Sequence, residues 1–226
     1  KIKGRVRLKG DRIIHFAKKN HSSYNIYLPK DKFIKGVNNF SIQKPGVRNY
    51  IHEWIFIEMM DDLGLIKPKY EFFNLYINGT NNGLYVLEEK MSKEIIERNK
   101  RRNGPILSIL GEFERPSENK IFQVYNEKFW TRPENIEIAQ IAKKKISDFL
   151  KGKRKIEDTF DVEKFAAFFA VLDLTYTTHA LFFSSKLYYN PINGLFEPIP
   201  LDGHRQLPNY HKFNQNYYDK IIIDSI

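Results

Sequence analysis

The order of strand-like and helix-like patterns constrains the fold of this chain more than any single motif does. Three short strand patterns, at residues 2–9, 24–28 and 40–42, come before one helical pattern, and a hairpin pattern follows it. Two longer helical patterns and a second, smaller hairpin come later in the chain. This order predicts an α+β fold.

The first strand pattern alternates apolar and basic residues. One side has Ile2, Val6 and Leu8, and the other has Lys3, Arg5, Arg7 and Lys9. Because successive side chains point to opposite faces of a strand, the pattern predicts a half-buried strand whose second face is cationic.

Helical spacing and turn residues place the other elements of the first half. Apolar residues recur every three or four positions over residues 51–63 and stop at Gly64, which predicts the first helix. Residues 73–88 predict a hairpin around an Asn/Gly-rich loop. Ser92 is the expected N-cap of a basic helix that runs to about Arg102.

The second half begins with two long helices. One is predicted over residues 138–150, and Asp161 is expected to cap the other. Strand patterns at residues 186–189 and 195–198 form a small hairpin just before Asp202. The proline-containing stretch before the long helices predicts a loop-rich connection. The expected organisation is therefore a β-rich unit at 1–103, a connection at 104–133 and a helical unit at 134–226. The last residues of the helical unit resemble the start of a further element.

Composition limits the classes of partner and site. The net charge is +10, which favours an anionic partner such as a nucleotide, a nucleic acid, an acidic protein or a lipid surface. The chain has no cysteine, which excludes disulfides, zinc–thiolate sites and cysteine nucleophiles. No apolar run approaches the roughly 20 residues that cross a bilayer. No signal peptide opens the chain. The chain does, however, begin directly with a strand pattern, as a piece of a longer protein would. Cytoplasmic and secreted locations therefore both stay open.

Three segments resemble motifs of the CotH kinase family, a family of spore-coat and related proteins with an atypical kinase fold. The first is Arg7-Leu8-Lys9-Gly10-Asp11, and the second is the hairpin with Leu75-Tyr76-Ile77-Asn78-Gly79 and Gly83-Leu84-Tyr85-Val86-Leu87-Glu88. The third is Lys186-Leu187-Tyr188-Tyr189-Asn190-Pro191, followed by Phe196-Glu197-Pro198-Ile199-Pro200-Leu201-Asp202. The three occur in the family's order and span nearly the whole chain.

The resemblance implies a diverged, bilobal kinase-like fold and phosphoryl transfer from ATP to a protein hydroxyl with the help of Mg²⁺. Asp202, which follows the small hairpin, resembles the metal-binding Asp of a kinase, and a carboxylate is a ligand that Mg²⁺ prefers. Taken without the resemblance, Asp202-Gly203 is also explained as a turn.

The resemblance further implies a base-like Asp and a metal-binding Asn upstream of Asp202. Counting back from Asp202 through the matched hairpin places His179, 23 positions earlier, at the first of these positions. Ser184 stands at the second. A neutral His can accept a proton from a hydroxyl, and Ser184 can offer the metal a hydroxyl oxygen. The alternative for His179 is that it only ends a buried helix.

The nucleotide-anchoring lysine of the family is replaced here by Tyr27. Phosphate charge is then expected to be met by Lys9, Arg7 or Arg48, the last of which stands near the start of the first helix. Glu53, one turn further on, is expected to orient such a cation. As an alternative, Arg48 is simply an exposed residue at a helix start.

Glu88 and Glu89 end the first hairpin where a kinase hinge begins. They are expected either to meet the adenine or ribose of a nucleotide or to cap the helix that follows Ser92. The chain has no glycine-rich phosphate loop of the ordinary kinase type.

Two functions of different classes remain open from the sequence. One is a CotH-like phosphotransferase that acts on a protein substrate. The other is a pseudokinase-type module that binds a nucleotide or a protein but has lost catalysis through the changes at Tyr27, His179 and Ser184. A nucleic-acid-binding domain is the weakest alternative, because only the net charge and the cationic strand face point to it, and it would bind less tightly as salt rises.

Overall fold

The computed structural model describes residues 1–10, 15, 22–109, 122–177, 180 and 186–203. Within them the chain forms two antiparallel sheets and several helices, which confirms the predicted α+β class.

The first sheet has five strands in the order β1-β2-β3-β5-β4, and every neighbouring pair is antiparallel. Its strands are β1 (Arg5–Leu8), β2 (Tyr24–Tyr27), β3 (Asn39–Gln43), β4 (Tyr70–Ile77) and β5 (Thr80–Glu89). The predicted first hairpin is the β4–β5 pair.

The second sheet has four strands in the order β7-β6-β8-β9. Its strands are β6 (Ile106–Ile109), β7 (Phe122–Val124), β8 (Lys186–Tyr189) and β9 (Phe196–Ile199). The predicted small hairpin is the β8–β9 pair, but the expectation of a loop-rich stretch before the long helices is wrong in part. β6 lies within that stretch and pairs with β8, a partner about 80 positions away that short-range patterns do not reveal.

Five α-helices occur in the described residues, and a 3₁₀ turn at Pro45–Arg48 precedes the first. The helices are α1 (His52–Asp62), α2 (Lys93–Arg98), α3 (Glu127–Trp130), α4 (Ile136–Leu150) and α5 (Val162–Thr175). α2 is shorter than predicted, since Lys100 adopts a left-handed backbone with φ of 58° that ends helical geometry. Asp161 caps α5 as predicted, because its side chain accepts a hydrogen bond from the Lys164 amide.

The prediction that β1 is half-buried is wrong. Val6 is 58% exposed and Leu8 is 63% exposed, and the other two residues of the strand are exposed as well. β1 stands at the edge of the sheet and pairs with β2 alone among the described strands, so less of the molecule covers it.

The core near the site lies between the first sheet and two helices. α1 packs on the β4 and β5 end of the sheet, and α5 packs against α1. The buried members of this cluster are Phe56, Ile57, Met60, Leu65, Tyr70, Val86, Phe168, Val171, Leu172 and Ala180. A second cluster joins α4 to the second sheet. None of the helices in the described ranges is long and apolar enough to cross a membrane.

Candidate functional site

Polar side chains gather on one face of the first sheet, next to the start of α1. In the register of β3 and β5, Ser41 lies opposite Glu88 and Gln43 lies opposite Val86. Because side chains alternate across a strand, Ser41, Gln43 and Glu88 share this face. The strands therefore collect hydroxyl, amide and carboxylate groups in one place.

Lys9 reaches this face from the end of β1. Its Nζ lies 2.7 Å from Glu88 Oε2 and donates to Ser41 Oγ at 2.8 Å and to Gln43 Oε1 at 3.0 Å. Gln43 in turn donates from Nε2 to Glu88 Oε2 at 2.8 Å. The Lys9 ammonium is thus held by three acceptors, and its side chain is only 16% exposed.

Arg48, the last residue of the 3₁₀ turn before α1, brings a second cation. Its Nη2 lies 3.8 Å from Glu88 Oε1 and forms an ion pair with Asp202 Oδ1. Burial alone would lower the pKa of Arg48, but Glu88 and Asp202 outweigh it and raise the pKa. Its side chain is 13% exposed, so the alternative of an exposed helix-start residue is wrong.

The backbone at Asp202 and Gly203 is held from two sides. The Gly203 amide donates to Glu53 Oε1 at 3.0 Å, and the Gly203 carbonyl accepts from Thr177 Oγ1 at 2.9 Å. Asp202 has a left-handed backbone with φ of 55°, a region that Asp tolerates better than most residues. A Cβ on Gly203 would lie 1.9 Å from the buried ring of Phe56, so this position requires glycine.

Glu53 is the most deeply buried carboxyl group of the cluster, at 1% exposure. Burial raises its pKa to about 8, although Arg48 acts in the opposite direction. Its Oε2 has no hydrogen-bond partner in the described part of the chain, and the same holds for the buried hydroxyl of Tyr70. Tyr70 also has a raised pKa, through burial and then the charges of Glu53 and Glu88. Burial thus favours the protonated form of Glu53.

Glu88 shows the opposite behaviour. Although burial would raise its pKa, the Lys9 and Arg48 charges hold the pKa of Glu88 well below its usual range. Glu88 is therefore ionised between two cations, whereas Glu53 holds a proton near neutral pH. Two neighbouring carboxyl groups whose pKa values are shifted in opposite directions mark this cluster as a candidate functional site.

The structure brings together five of the residues singled out from the sequence: Lys9, Arg48, Glu53, Glu88 and Asp202. Arg7 is not among them. It is exposed on β1 and makes no ion pair among the described residues, and its charge acts on Tyr27 instead. His179 and Ser184 lie outside the described residues.

Sequence reasoning missed the residues that support these groups. Ser41 and Gln43 alternate on β3, but their partners on β5 lie about 45 positions away, so only the sheet register identifies them. Thr177 and Tyr70 carry no sequence signal that separates them from ordinary core residues. Gly203 did carry a local signal, because a glycine directly after Asp202 indicates a turn.

The expected roles at the end of β5 need one correction. Neither glutamate caps α2, because Glu88 binds Lys9 and Glu89 binds Arg98 and accepts from the Lys69 amide at 2.9 Å. Tyr27, at the position where the family pattern has a lysine, accepts a hydrogen bond from Lys90 Nζ at 3.2 Å. The lysine that pairs with Glu88 is Lys9.

Comparisons with known proteins agree with this arrangement of motifs. The sequence model of the CotH kinase protein family matches residues 6–220. The inner spore coat protein H of Bacillus subtilis (strain 168) is 25% identical over 212 residues, which is 87% of this chain and 57% of that protein. The chain thus spans little more than half the length of this curated relative. Because the family match covers nearly the whole chain, the protein belongs to the CotH kinase family.

Proposed function

We propose that the protein is a CotH-like phosphotransferase that uses a nucleoside triphosphate with Mg²⁺ and transfers phosphate to a protein hydroxyl. One observation carries the proposal: Lys9, Arg48 and Asp202, which lie far apart in the sequence, converge around Glu88. Two cations and a carboxylate in one cleft are the groups that a metal-bound polyphosphate requires.

The two cations supply the phosphate-binding groups. The guanidinium of Arg48 presents several donors in a fixed fork, and the Lys9 ammonium acts as a compact point charge. In the structure both are neutralised by Glu88 and Asp202. A phosphate that binds here competes with these carboxylates for Lys9 and Arg48. The two cations then exchange charge-assisted hydrogen bonds to carboxylates for charge-assisted hydrogen bonds to phosphate.

The residues present fit a magnesium ion that arrives with a nucleotide. No group of three or more His, Asp or Glu side chains in the described ranges could hold a metal by itself. Mg²⁺, however, is commonly held by one or two carboxylates together with substrate phosphates and water. Asp202, whose side chain is 23% exposed, is suited to be such a ligand. The ion would neutralise charge on the transferred phosphoryl group.

The protein prepares Asp202 for this task through its neighbours. Glu53 and Thr177 fix the Gly203 peptide group from opposite sides, next to Asp202. Such preorganisation lowers the cost of ordering the site when a ligand binds. We assign Glu53 as a positioning residue, because its observed hydrogen bond is to the Gly203 amide.

The acceptor side of the reaction rests on the sequence. His179 is the proposed base, and Ser184 is the proposed second metal ligand. On the nucleotide side, Glu88 is the proposed contact with the adenine or ribose. The partner that follows from the proposal is a protein with an accessible hydroxyl group.

A second candidate function is a pseudokinase-type binding module. The observation that favours it is the ion pair between Arg48 and Asp202, which occupies the carboxylate that a metal needs. In that case Arg48 stabilises the cleft, and binding of a nucleotide does not lead to transfer.

Calorimetric titration with ATP, with and without Mg²⁺, tests the shared part of both proposals. Binding that requires Mg²⁺ and is lost in Asp202→Asn supports the site. Incubation with γ-labelled ATP and casein or the protein itself then separates the two functions. Labelled protein supports the phosphotransferase. Binding without any labelling supports the pseudokinase-type module, and no binding of ATP removes both.

A further inference from the structure

A dense group of cations lies away from the cluster around Glu88, at the end of α4. Residues 143–155 contain seven basic side chains and one acidic side chain, Asp148. The basic residues are Lys143, Lys144, Lys145, Lys151, Lys153, Arg154 and Lys155. We call the exposed segment at residues 151–158 the basic loop; it has four basic residues and ends with two acidic ones, Glu157 and Asp158, and Lys155 Nζ lies 3.9 Å from Glu157 Oε1.

The basic loop is held in a defined shape. The Lys153 amide donates to the Asp148 carbonyl at 2.8 Å, and the buried Thr159 hydroxyl donates to the Lys155 carbonyl at 2.9 Å. Every residue from 151 to 158 is exposed. Asp148 also lies 3.8 Å from Arg154 Nε and pairs with Lys144. The cations are therefore presented on a preorganised backbone, which lowers the entropy cost of binding.

This surface is separate from the candidate active site. The Asp161 amide, just after the loop, bonds to the carbonyl of Phe196 at the start of β9. Asp202 lies beyond the opposite end of that strand, which is four residues long, or about 13 Å.

Apolar side chains are interspersed among the cations. Leu150 is 51% exposed and Ile156 is 48% exposed, and both lie next to basic residues in the sequence. A ligand that complements this surface must combine negative charge with apolar groups. Charge complementarity of this kind determines the choice of partner and the rate of association.

The surroundings argue against two other polyanions. Single-stranded nucleic acids are bound through exposed aromatic rings, but Phe149, the aromatic residue of this stretch, packs against Phe160 with ring centroids 4.8 Å apart. Amphipathic helices bind membranes through a free apolar face, but the apolar face of α4, with Ala139, Ala142 and Ile146, is buried against the second sheet.

We propose that the basic loop, with Leu150 and the nearby lysines of α4, is a docking surface for an acidic segment of a partner protein that carries apolar side chains between its carboxylates. The partner would bind here without covering Asp202.

The test uses fluorescence anisotropy with a labelled peptide of repeating Glu-Glu-Leu units. We expect the wild-type protein to bind it and the affinity to fall as salt is added. The triple variant Lys151→Gln, Lys153→Gln, Lys155→Gln should bind about tenfold more weakly. The control variant Lys30→Gln, Lys32→Gln, Lys128→Gln changes the net charge equally at exposed positions elsewhere and should change the affinity less than about twofold.

Three results would overturn the proposal. The first is no binding of the peptide, and the second is an equal loss of affinity in the triple and control variants, which would show an effect of net charge alone. The third is binding of oligothymidylate or of phosphatidylserine vesicles through the loop at least as tightly as the peptide at the same salt concentration. A peptide with Gln in place of Leu should bind more weakly than the Glu-Glu-Leu peptide.

Discussion

Glu53 on α1 accepts a hydrogen bond from the backbone amide of Gly203 at 3.0 Å, across 150 positions of the chain. The bond ties the first helix after the 3₁₀ turn to the residue that follows Asp202. Its acceptor is a carboxyl group whose pKa is raised by burial to about 8. The protonation of Glu53 and the stability of the protein are therefore linked.

Glu53→Gln should flatten the pH dependence of stability between pH 5 and pH 9. Glu53 has a pKa of about 8 in the folded protein, and an unfolded Glu has a pKa of about 4.3. Between these values the folded state keeps a proton that the unfolded state releases, so the free energy of unfolding falls as pH rises. The loss in the wild type should be roughly 2–5 kcal/mol.

Urea unfolding of both proteins at several pH values measures this difference. Glu88 does not confuse the result, because its lowered pKa removes stability only as the pH falls below about 4. Parallel curves for the wild type and Glu53→Gln would show that Glu53 does not take up a proton on folding.

Asp202→Asn should weaken Mg²⁺-dependent binding of ATP by roughly tenfold or more, because an amide oxygen carries no negative charge for the metal. The fold should persist, since Asn also tolerates the left-handed backbone at this position. Calorimetric titration measures the affinity, and circular dichroism checks the fold. Asp62→Asn, at an exposed position of α1, is the matched control. An unchanged metal dependence would leave Asp202 as a turn residue.

Lys9→Met should lower the free energy of unfolding by about 2–4 kcal/mol, because it leaves the buried Glu88 with Arg48 as its remaining cation. Glu88→Gln should recover most of this loss when it is combined with Lys9→Met. Lys35→Met is the control, since Lys35 pairs with Glu71 at the surface and should cost less than about 1 kcal/mol. Additive effects of the Lys9 and Glu88 changes would contradict the observed pairing.

His179→Ala should reduce phosphoryl transfer by about 10²- to 10⁴-fold if His179 is the general base. Wild-type activity should then rise with pH through about 6 to 7, because the neutral imidazole accepts the proton. A rate profile against pH for the wild type, with His179→Ala alongside, measures both. Undiminished transfer by His179→Ala would place the base elsewhere or make it unnecessary.

Local patterns were enough to predict most of the elements. Helical spacing located α1, α4 and α5, and turn residues located both hairpins. β6 was missed, because its four residues resemble a loop until β8 pairs with them across about 80 positions. The burial of β1 was misjudged, because alternation specifies two faces but does not show that the strand lies at the edge of the sheet.

The candidate site was predictable where a residue belongs to a motif or, as for Arg48 and Glu53, stands at the start of the first helix. Lys9, Glu88 and Asp202 stand in the three segments that resemble the family, and the structure brings them into one cluster. Arg7 shares a strand face with Lys9 in the sequence pattern, yet the structure separates them, because Lys9 lies beyond the end of β1 and turns inward. Ser41 was not predictable, because hydrogen bonding across a sheet depends on its register.

The close contact between Gly203 and Phe56 has a consequence for motion. The Phe56 ring fills the space where a side chain at position 203 would stand, so α1 and the Asp202 segment must open together. We therefore expect them to behave as one cooperative unit in hydrogen exchange, with amides that exchange at a common opening free energy. A ligand held at Asp202 would then slow exchange along α1, far from any atom that it touches.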